Sequence, residues 1–176
     1  QGVRHFAITN YHPSVLTYPL TVRFQPENIP SDVLGAPNTE HYGITNETAQ
    51  LHITTPGSMY ASGDGVRDTW QSLVDNVVSN MLFEDAGGVI IAHPVWSGLK
   101  SWQIAQFLDY HPYVIGIEAF TDVTNGIQGD SRFLWDSVLA TGRKCLGFMN
   151  PDHGVERLRP WKGRNILLAE EFTEHE

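Results

Sequence analysis

The chain has 176 residues, a net charge of -9 from 11 Lys and Arg against 20 Asp and Glu, and a hydrophobic share of 41%. These values exclude a collagen and a disordered tail, and a single cysteine, Cys145, excludes an internal disulfide and a cysteine-based zinc site. The length suffices for one domain that buries roughly 70% of the surface of its unfolded chain. We expect a single domain over 1–176.

The charge balance limits the partners. Binding a nucleic-acid backbone needs an excess of Lys and Arg that this acidic chain lacks. The basic stretch from Arg157 to Arg164 either meets a small phosphorylated ligand or is a solvated loop. No run approaches the ~20 apolar residues of a membrane span, and residues 1–8 lack a signal pattern. We therefore expect neither a nucleic-acid nor a membrane partner, and the oligomeric state stays open.

Short apolar runs between Gly and Pro residues predict strands. The predicted strands are Arg4–Thr9, Val33–Pro37, Gln50–Thr54, Gly88–Ala92, Tyr113–Phe120, Lys144–Met149 and Asn165–Ala169. Several of them are almost continuously apolar, which is typical of buried parallel strands.

Amphipathic segments between these strands predict helices. The clearest is 68–85, where apolar residues recur at steps of three and four and Asp68 is placed to cap the first turn. A second helix covers 102–108. A third covers 131–140 and ends at Gly142, which tolerates the left-handed turn that closes a helix. From Phe83 onward helices and strands alternate, which indicates an α/β fold with a parallel sheet or barrel.

Side chains able to bind metal stand at or just after the ends of the apolar runs. They are His12, Glu40, His52, His93, Glu118 and the adjacent pair Asp152 and His153. In parallel α/β folds this end of the sheet is where sites form. Imidazoles and carboxylates are ligands of Zn, Mn and Fe, and such a cluster would repel itself without cations. The pattern predicts a metal centre, although any one of these histidines alone is more often a core or loop residue.

Three motifs occur in order: Ile91-Ala92-His93-Pro94, then Gly116-Ile117-Glu118, then the segment from Gly147 to His153. Their order resembles the PHP (polymerase and histidinol phosphatase) family of metal-dependent phosphoesterases. The resemblance covers 6–173. It implies a distorted (β/α) barrel, here without its first and last strands, and it favours a cytoplasmic location. Because the family's opening His-x-His strand is absent, we expect this chain to be the middle of a longer protein.

The resemblance also implies a mechanism. Two or three divalent ions (Zn, Mn or Fe) would activate a water for attack on a small phosphorylated substrate. Glu40 would bridge two ions, and His41 would either bind an ion itself or orient the Glu40 carboxylate. The other implied metal ligands are His52, His93, Asp152, His153 and His12, and the implied catalytic residues are Glu118 and His153. Glu118 would accept a proton, support the ligands without touching the ions, or bind an ion directly. Arg159 and Arg164 would bind the phosphate of the substrate.

Two other functions stay open. The first is a hydrolase of C–N bonds, because a metal-activated water attacks a carbonyl carbon as readily as phosphorus. The second is a non-catalytic binding domain with the same fold. Tyr11 stands where the family has a His, and Asp152 and His153 lack the spacer residue of the family motif. Adjacent residues of an extended strand point in opposite directions, so these departures favour incomplete metal binding.

Overall fold

A computed structural model describes residues 5–6, 34–35, 37–44, 50–62, 69–121, 129–150 and 165. The strands in this part of the chain are β1 His5–Phe6, β2 Leu34–Gly35, β3 Glu40–Ile44, β4 Gln50–Thr54, β5 Val89–Ile91, β6 Val114–Thr121 and β7 Leu146–Asn150. The helices are α1 Trp70–Val78, α2 Ser101–Tyr110 and α3 Arg132–Leu139. Strand β3 was not predicted, and the predicted strand Asn165–Ala169 lies, except for its first residue, outside the described residues.

The described strands form an open sheet, so the expectation of a (β/α) barrel is wrong. The order in the main sheet is β3-β4-β5-β6-β7, and β1 pairs with β2 in a separate parallel pair. The main sheet is mixed and does not close. A barrel needs its last strand to hydrogen-bond to its first at a common stagger. Within the described ranges β3 and β7 are instead the two edges, and β1 and β2 pair only with each other.

The described residues fall into two compact units. The first holds those up to Gly43 and from Ile53 to Val89, and the second holds those of 44–52 and 90–167. In the first unit α1 buries one apolar face, made of Trp70, Leu73, Val74 and Val77. Each such side chain contributes roughly 1.5–3 kcal/mol relative to an exposed one. Helix α1 packs closely on β3, because a Cβ added to Gly43 would lie 3.0 Å from the Cα of Trp70.

Helix α1 is shorter than the predicted 68–85. Its N-cap is Thr69, one residue after the predicted cap, and the Thr69 hydroxyl accepts a hydrogen bond from the N–H of Ser72 at 3.2 Å. The helix ends at Ser79, whose hydroxyl donates to the carbonyl of Asp75 at 2.7 Å. Such side-chain bonds compete with the helical ladder. The chain then leaves the helix, because the N–H of Leu82 bonds instead to the carbonyl of Gly57 at 2.9 Å.

The second unit is built around β6 and β7, which pair in parallel with Gly116 opposite Leu146. Helices α2 and α3 contact each other and both contact β6. They bury Ile104, Phe107, Leu134 and Val138 on these faces. The two helices confirm the predicted segments 102–108 and 131–140, and Gly142 has the expected positive φ of 81°. None of the helices in the described ranges has the length and apolarity to cross a membrane.

Candidate metal centre

Three of the predicted metal ligands lie together. Glu40, His52 and His93 each offer one ligand atom, and these atoms all lie within 4.8 Å of one another. All three side chains are buried, with 7%, 4% and 4% of their surface exposed. Among the residues that the structure describes, this group of two imidazoles and one carboxylate could hold a metal ion.

The sequence led us to expect all three residues at or just after the carboxyl ends of strands, but only one of them lies there. His93 comes two residues after β5, but His52 is the central residue of β4 and Glu40 is the first residue of β3. They meet because β3, β4 and β5 are consecutive in the sheet. The backbone N–H of Ala92 donates to the carbonyl of His52 at 2.9 Å, which fixes the register of β4 against the end of β5.

The backbone at His93 is strained. His93 has a φ of 26°, and it is the one residue other than glycine with a positive φ in the described ranges. Such a conformation costs about 1–3 kcal/mol and is common at functional sites. The N–H of His93 donates to Oε2 of Glu118 at 2.8 Å. A hydrogen bond to a charged group contributes about 1.5–3 kcal/mol, which is comparable with the strain.

Two neighbours of His93 in the following turn contact the imidazoles. The hydroxyl of Ser97 lies 3.3 Å from Nδ1 of His93. An imidazole that binds metal through one nitrogen usually engages a partner through the other, and Ser97 is placed to be that partner. The indole of Trp96 stands edge-on to both rings, with centroids 5.3 Å from His52 and 5.0 Å from His93. Trp96 is 50% exposed, whereas the two imidazoles beside it are buried.

Glu118 is buried in the middle of β6, and its carboxylate bonds to a residue that follows β5 and to a residue of β7. Its Oε2 accepts from His93 beyond β5, and its Oε1 accepts from Nδ2 of Asn150, the last residue of β7, at 3.0 Å. The group of metal-binding side chains in the described residues does not include it. The sequence predicted Glu118 as a site residue but gave no signal for Ser97 or Asn150.

His41 is fully buried beside Glu40 and faces other partners. Its Nδ1 lies 2.9 Å from the hydroxyl of Ser62, and its ring lies 5.3 Å from that of Tyr60. The ligand group in the described residues does not include His41 either.

The remaining predicted site residues lie outside the described residues and stay predictions. They are His12, Asp152, His153, Arg159 and Arg164. The described residues therefore supply one candidate metal site, and the number of ions and their identity stay predictions as well.

No family model matches the chain, and no curated protein matches it. The resemblance to the PHP family accordingly stays a prediction.

Proposed function

We propose that the chain is a metal-dependent hydrolase of phosphate esters in which Glu40, His52 and His93 bind a divalent ion. The observation that carries the proposal is the burial of these side chains with their ligand atoms within 4.8 Å of one another.

The donor set fits such an ion in both chemistry and size. Bonds of about 2.0–2.2 Å place the ligand atoms of a tetrahedral zinc about 3.3–3.6 Å apart. Atoms within 4.8 Å of one another reach that spacing through small side-chain rotations. Three protein ligands with a further position for water are typical of catalytic rather than structural zinc. When bound, the ion would lower the pKa of a water ligand to near 7 and polarise the bond to be cleaved.

The charge of the ligand set supports an anionic substrate. Glu40 contributes one negative charge and neutral imidazoles contribute none, so a divalent ion would leave the group with an excess positive charge. An anionic phosphoryl group is attracted to such a group, and burial strengthens the attraction because the local dielectric is low. The proposed phosphate-binding residues Arg159 and Arg164 would add to it, and His12, Asp152 and His153 would hold a second ion.

A C–N bond hydrolase is the second candidate. Two His and one Glu are also the donor set of catalytic zinc in some metallopeptidases. The composition of the Glu40, His52 and His93 group therefore supports C–N bond cleavage as well as phosphate-ester cleavage.

Metal content and substrate class test the proposal together. The purified chain should hold on the order of one Zn, Mn or Fe per chain or more, and chelation should remove both the metal and the hydrolysis of a panel of phosphate mono- and diesters. His52→Ala and His93→Ala should lose both properties. His111→Ala is the matched control, since His111 is a half-buried histidine outside the ligand group whose Nδ1 accepts from the N–H of Tyr113 at 3.2 Å.

A panel of amides assayed in parallel separates the two candidates. If the chain cleaves amides but no phosphate esters, it is a C–N bond hydrolase and the phosphate-ester proposal is wrong. A chain that contains less than one metal and that added Mn or Zn does not activate would contradict both, and would favour a non-catalytic binding domain.

A further inference from the structure

Glu118 connects the segment that follows β5 with the last residue of β7. On one side it accepts the backbone N–H of His93 at 2.8 Å, and on the other it accepts the side-chain amide of Asn150 at 3.0 Å. Only 4% of Glu118 is exposed; its hydrogen bond with His93 is buried, and its hydrogen bond with Asn150 is partly buried. Two hydrogen bonds hold this buried carboxylate in one position, so it restrains the backbone N–H that it binds.

Asn150 is itself fixed by other groups. Its carbonyl accepts from the hydroxyl of Thr121 at 2.9 Å, and its side-chain oxygen accepts from Nδ2 of Asn165 at 2.8 Å. Asn165 also brackets the backbone of Met149, accepting from its N–H at 2.9 Å and donating to its carbonyl at 3.2 Å. Glu118 is therefore anchored on β7 by a network that does not involve the ligand group.

The anchored carboxylate acts on the most strained residue of the site. His93 holds a φ of 26° immediately before Pro94, and a residue before proline has few conformations to choose from. Without an acceptor at its N–H, the backbone of His93 would relax toward a common conformation. The imidazole would then turn away from His52, whose ring centroid lies 4.9 Å from that of His93.

We infer that Glu118 is a positioning residue, which holds the backbone of His93 so that the imidazole stays a metal ligand, and that it acts neither as a ligand nor as a proton acceptor. This inference rests on the proposed metal site, and it states that a residue on β6, Glu118, keeps the ligand His93 in its place there. The β6 bulge follows Glu118 directly, because the pairing with β7 shifts register between Glu118 and Phe120.

Two conservative variants distinguish positioning from chemistry. Glu118→Gln keeps an oxygen acceptor for the His93 N–H but removes the charge and turns an NH2 group toward Nδ2 of Asn150, so the bond to Asn150 is lost. Glu118→Asp keeps the charge and both acceptor oxygens but withdraws them by one methylene. If Glu118 positions His93, Glu118→Asp should lower Zn²⁺ affinity roughly 10–100-fold, and Glu118→Gln should change it only about threefold. The Co²⁺ form of Glu118→Gln should keep the wild-type visible spectrum, because its ligands are unchanged.

Gln103→Ala is the matched structural control. Gln103 is also buried, and its Oε1 accepts the N–H of Lys100 at 2.9 Å on helix α2. Its loss should lower the thermal midpoint but leave Zn²⁺ affinity unchanged. The inference is overturned if Glu118→Gln loses more affinity than Glu118→Asp, which is the order expected of a ligand or base. It is also overturned if both variants behave like Gln103→Ala.

A metal-free measurement separates this inference from the proposed function. Amide hydrogen exchange of His93 in the chelated protein should be slow in the wild type and in Glu118→Gln, and faster in Glu118→Asp. If the wild type binds neither Zn²⁺ nor Co²⁺, the proposed function fails and the ligand role of His93 fails with it. The exchange rates then decide the backbone role alone: equal rates in the three proteins overturn it, and the expected order supports it.

Discussion

The imidazole rings of His52 and His93 meet edge to face, with centroids 4.9 Å apart and ring planes at 72°. The two residues are 41 positions apart in the chain, and the residue before His93 is tied to His52 by the backbone hydrogen bond from the N–H of Ala92 to the carbonyl of His52. Trp96 stands against both rings and is half exposed. This arrangement gives the candidate metal centre its own optical reporter.

Metal binding should quench the fluorescence of Trp96. Co²⁺ or Cu²⁺ added to the chelated chain should lower the indole emission in a saturable way, because the Trp96 ring lies 5.0 Å and 5.3 Å from the two imidazoles. Trp96→Phe should lose most of the quenching. Trp102→Phe, which removes an indole of similar exposure (54%) from α2, should retain it. Equal quenching in the two variants would show that these ions bind elsewhere.

Gly116 should tolerate no side chain. A Cβ at this position of β6 would overlap the backbone carbonyl of Leu146 in β7, which cannot move without breaking the parallel pairing. We expect Gly116→Ala to destabilise the chain by more than the about 1–3 kcal/mol usual for overpacking. Gly98→Ala is the control, since Gly98 has a φ of 72° with open space around it. Its cost should be only about 1–2 kcal/mol. Urea unfolding measures both, and equal costs would contradict the predicted clash.

The ion pair between Asp109 and Arg143 should give a small, pH-dependent contribution to stability. The Arg143 guanidinium donates to both Asp109 oxygens, at 2.8 Å and 2.7 Å, and this hydrogen bonding holds the pKa of Asp109 below its usual range. A lowered pKa stabilises the folded state above the unfolded value of about 3.9, and the contribution is lost as the pH falls through the folded value. Both side chains are partly or largely exposed, so salt should weaken it.

Thermal unfolding tests this coupling. Asp109→Asn should lower the midpoint slightly at pH 7 and low salt, and the difference from the wild type should shrink at high salt and as the pH falls through the lowered pKa of the folded state, below which the carboxyl is protonated in both states. Arg143→Gln and the double variant complete a thermodynamic cycle. A coupling that does not change with pH would exclude the carboxylate as its source.

Cys145 should react slowly with alkylating reagents while the chain is folded. Burial raises the pKa of its thiol to about 11. At pH 8 a thiol with that pKa is ionised roughly 200–300 times less than a free cysteine with a pKa near 8.5. Iodoacetamide labelling followed by mass spectrometry should therefore be slow in buffer and fast in guanidinium. Rapid labelling of the folded chain would contradict the burial of this side chain.

Much of the secondary structure could be predicted because its signal is local. The predicted strand Gln50–Thr54 matches the observed bounds of β4, and apolar periodicity located α2 and α3 to within two residues. Strand β3 was missed because Glu40-His41-Tyr42-Gly43-Ile44 begins with polar residues and contains no apolar run. Burial of Glu40 and His41 depends on the elements packed around them, which a local pattern does not contain.

The sequence predicted three side chains that do lie together, but the predicted reason for their proximity was partly wrong. Glu40, His52 and His93 were expected to meet at the carboxyl ends of parallel strands, yet only His93 follows the end of its strand. The sheet is mixed and open, so strand adjacency rather than a common strand end brings them together. The roles of Ser97 and Asn150 could not be read from the sequence, because serine and asparagine are common in turns without any such role.

Local patterns in the sequence predicted most of the strands and helices and the side chains able to bind a metal, because both follow from residue chemistry and short-range periodicity. The tertiary structure alone decided that the sheet is open and that Glu118 reaches from His93 to Asn150. Those features depend on strand order and register. They are set by hydrogen bonds between residues tens of positions apart, and no local pattern records them.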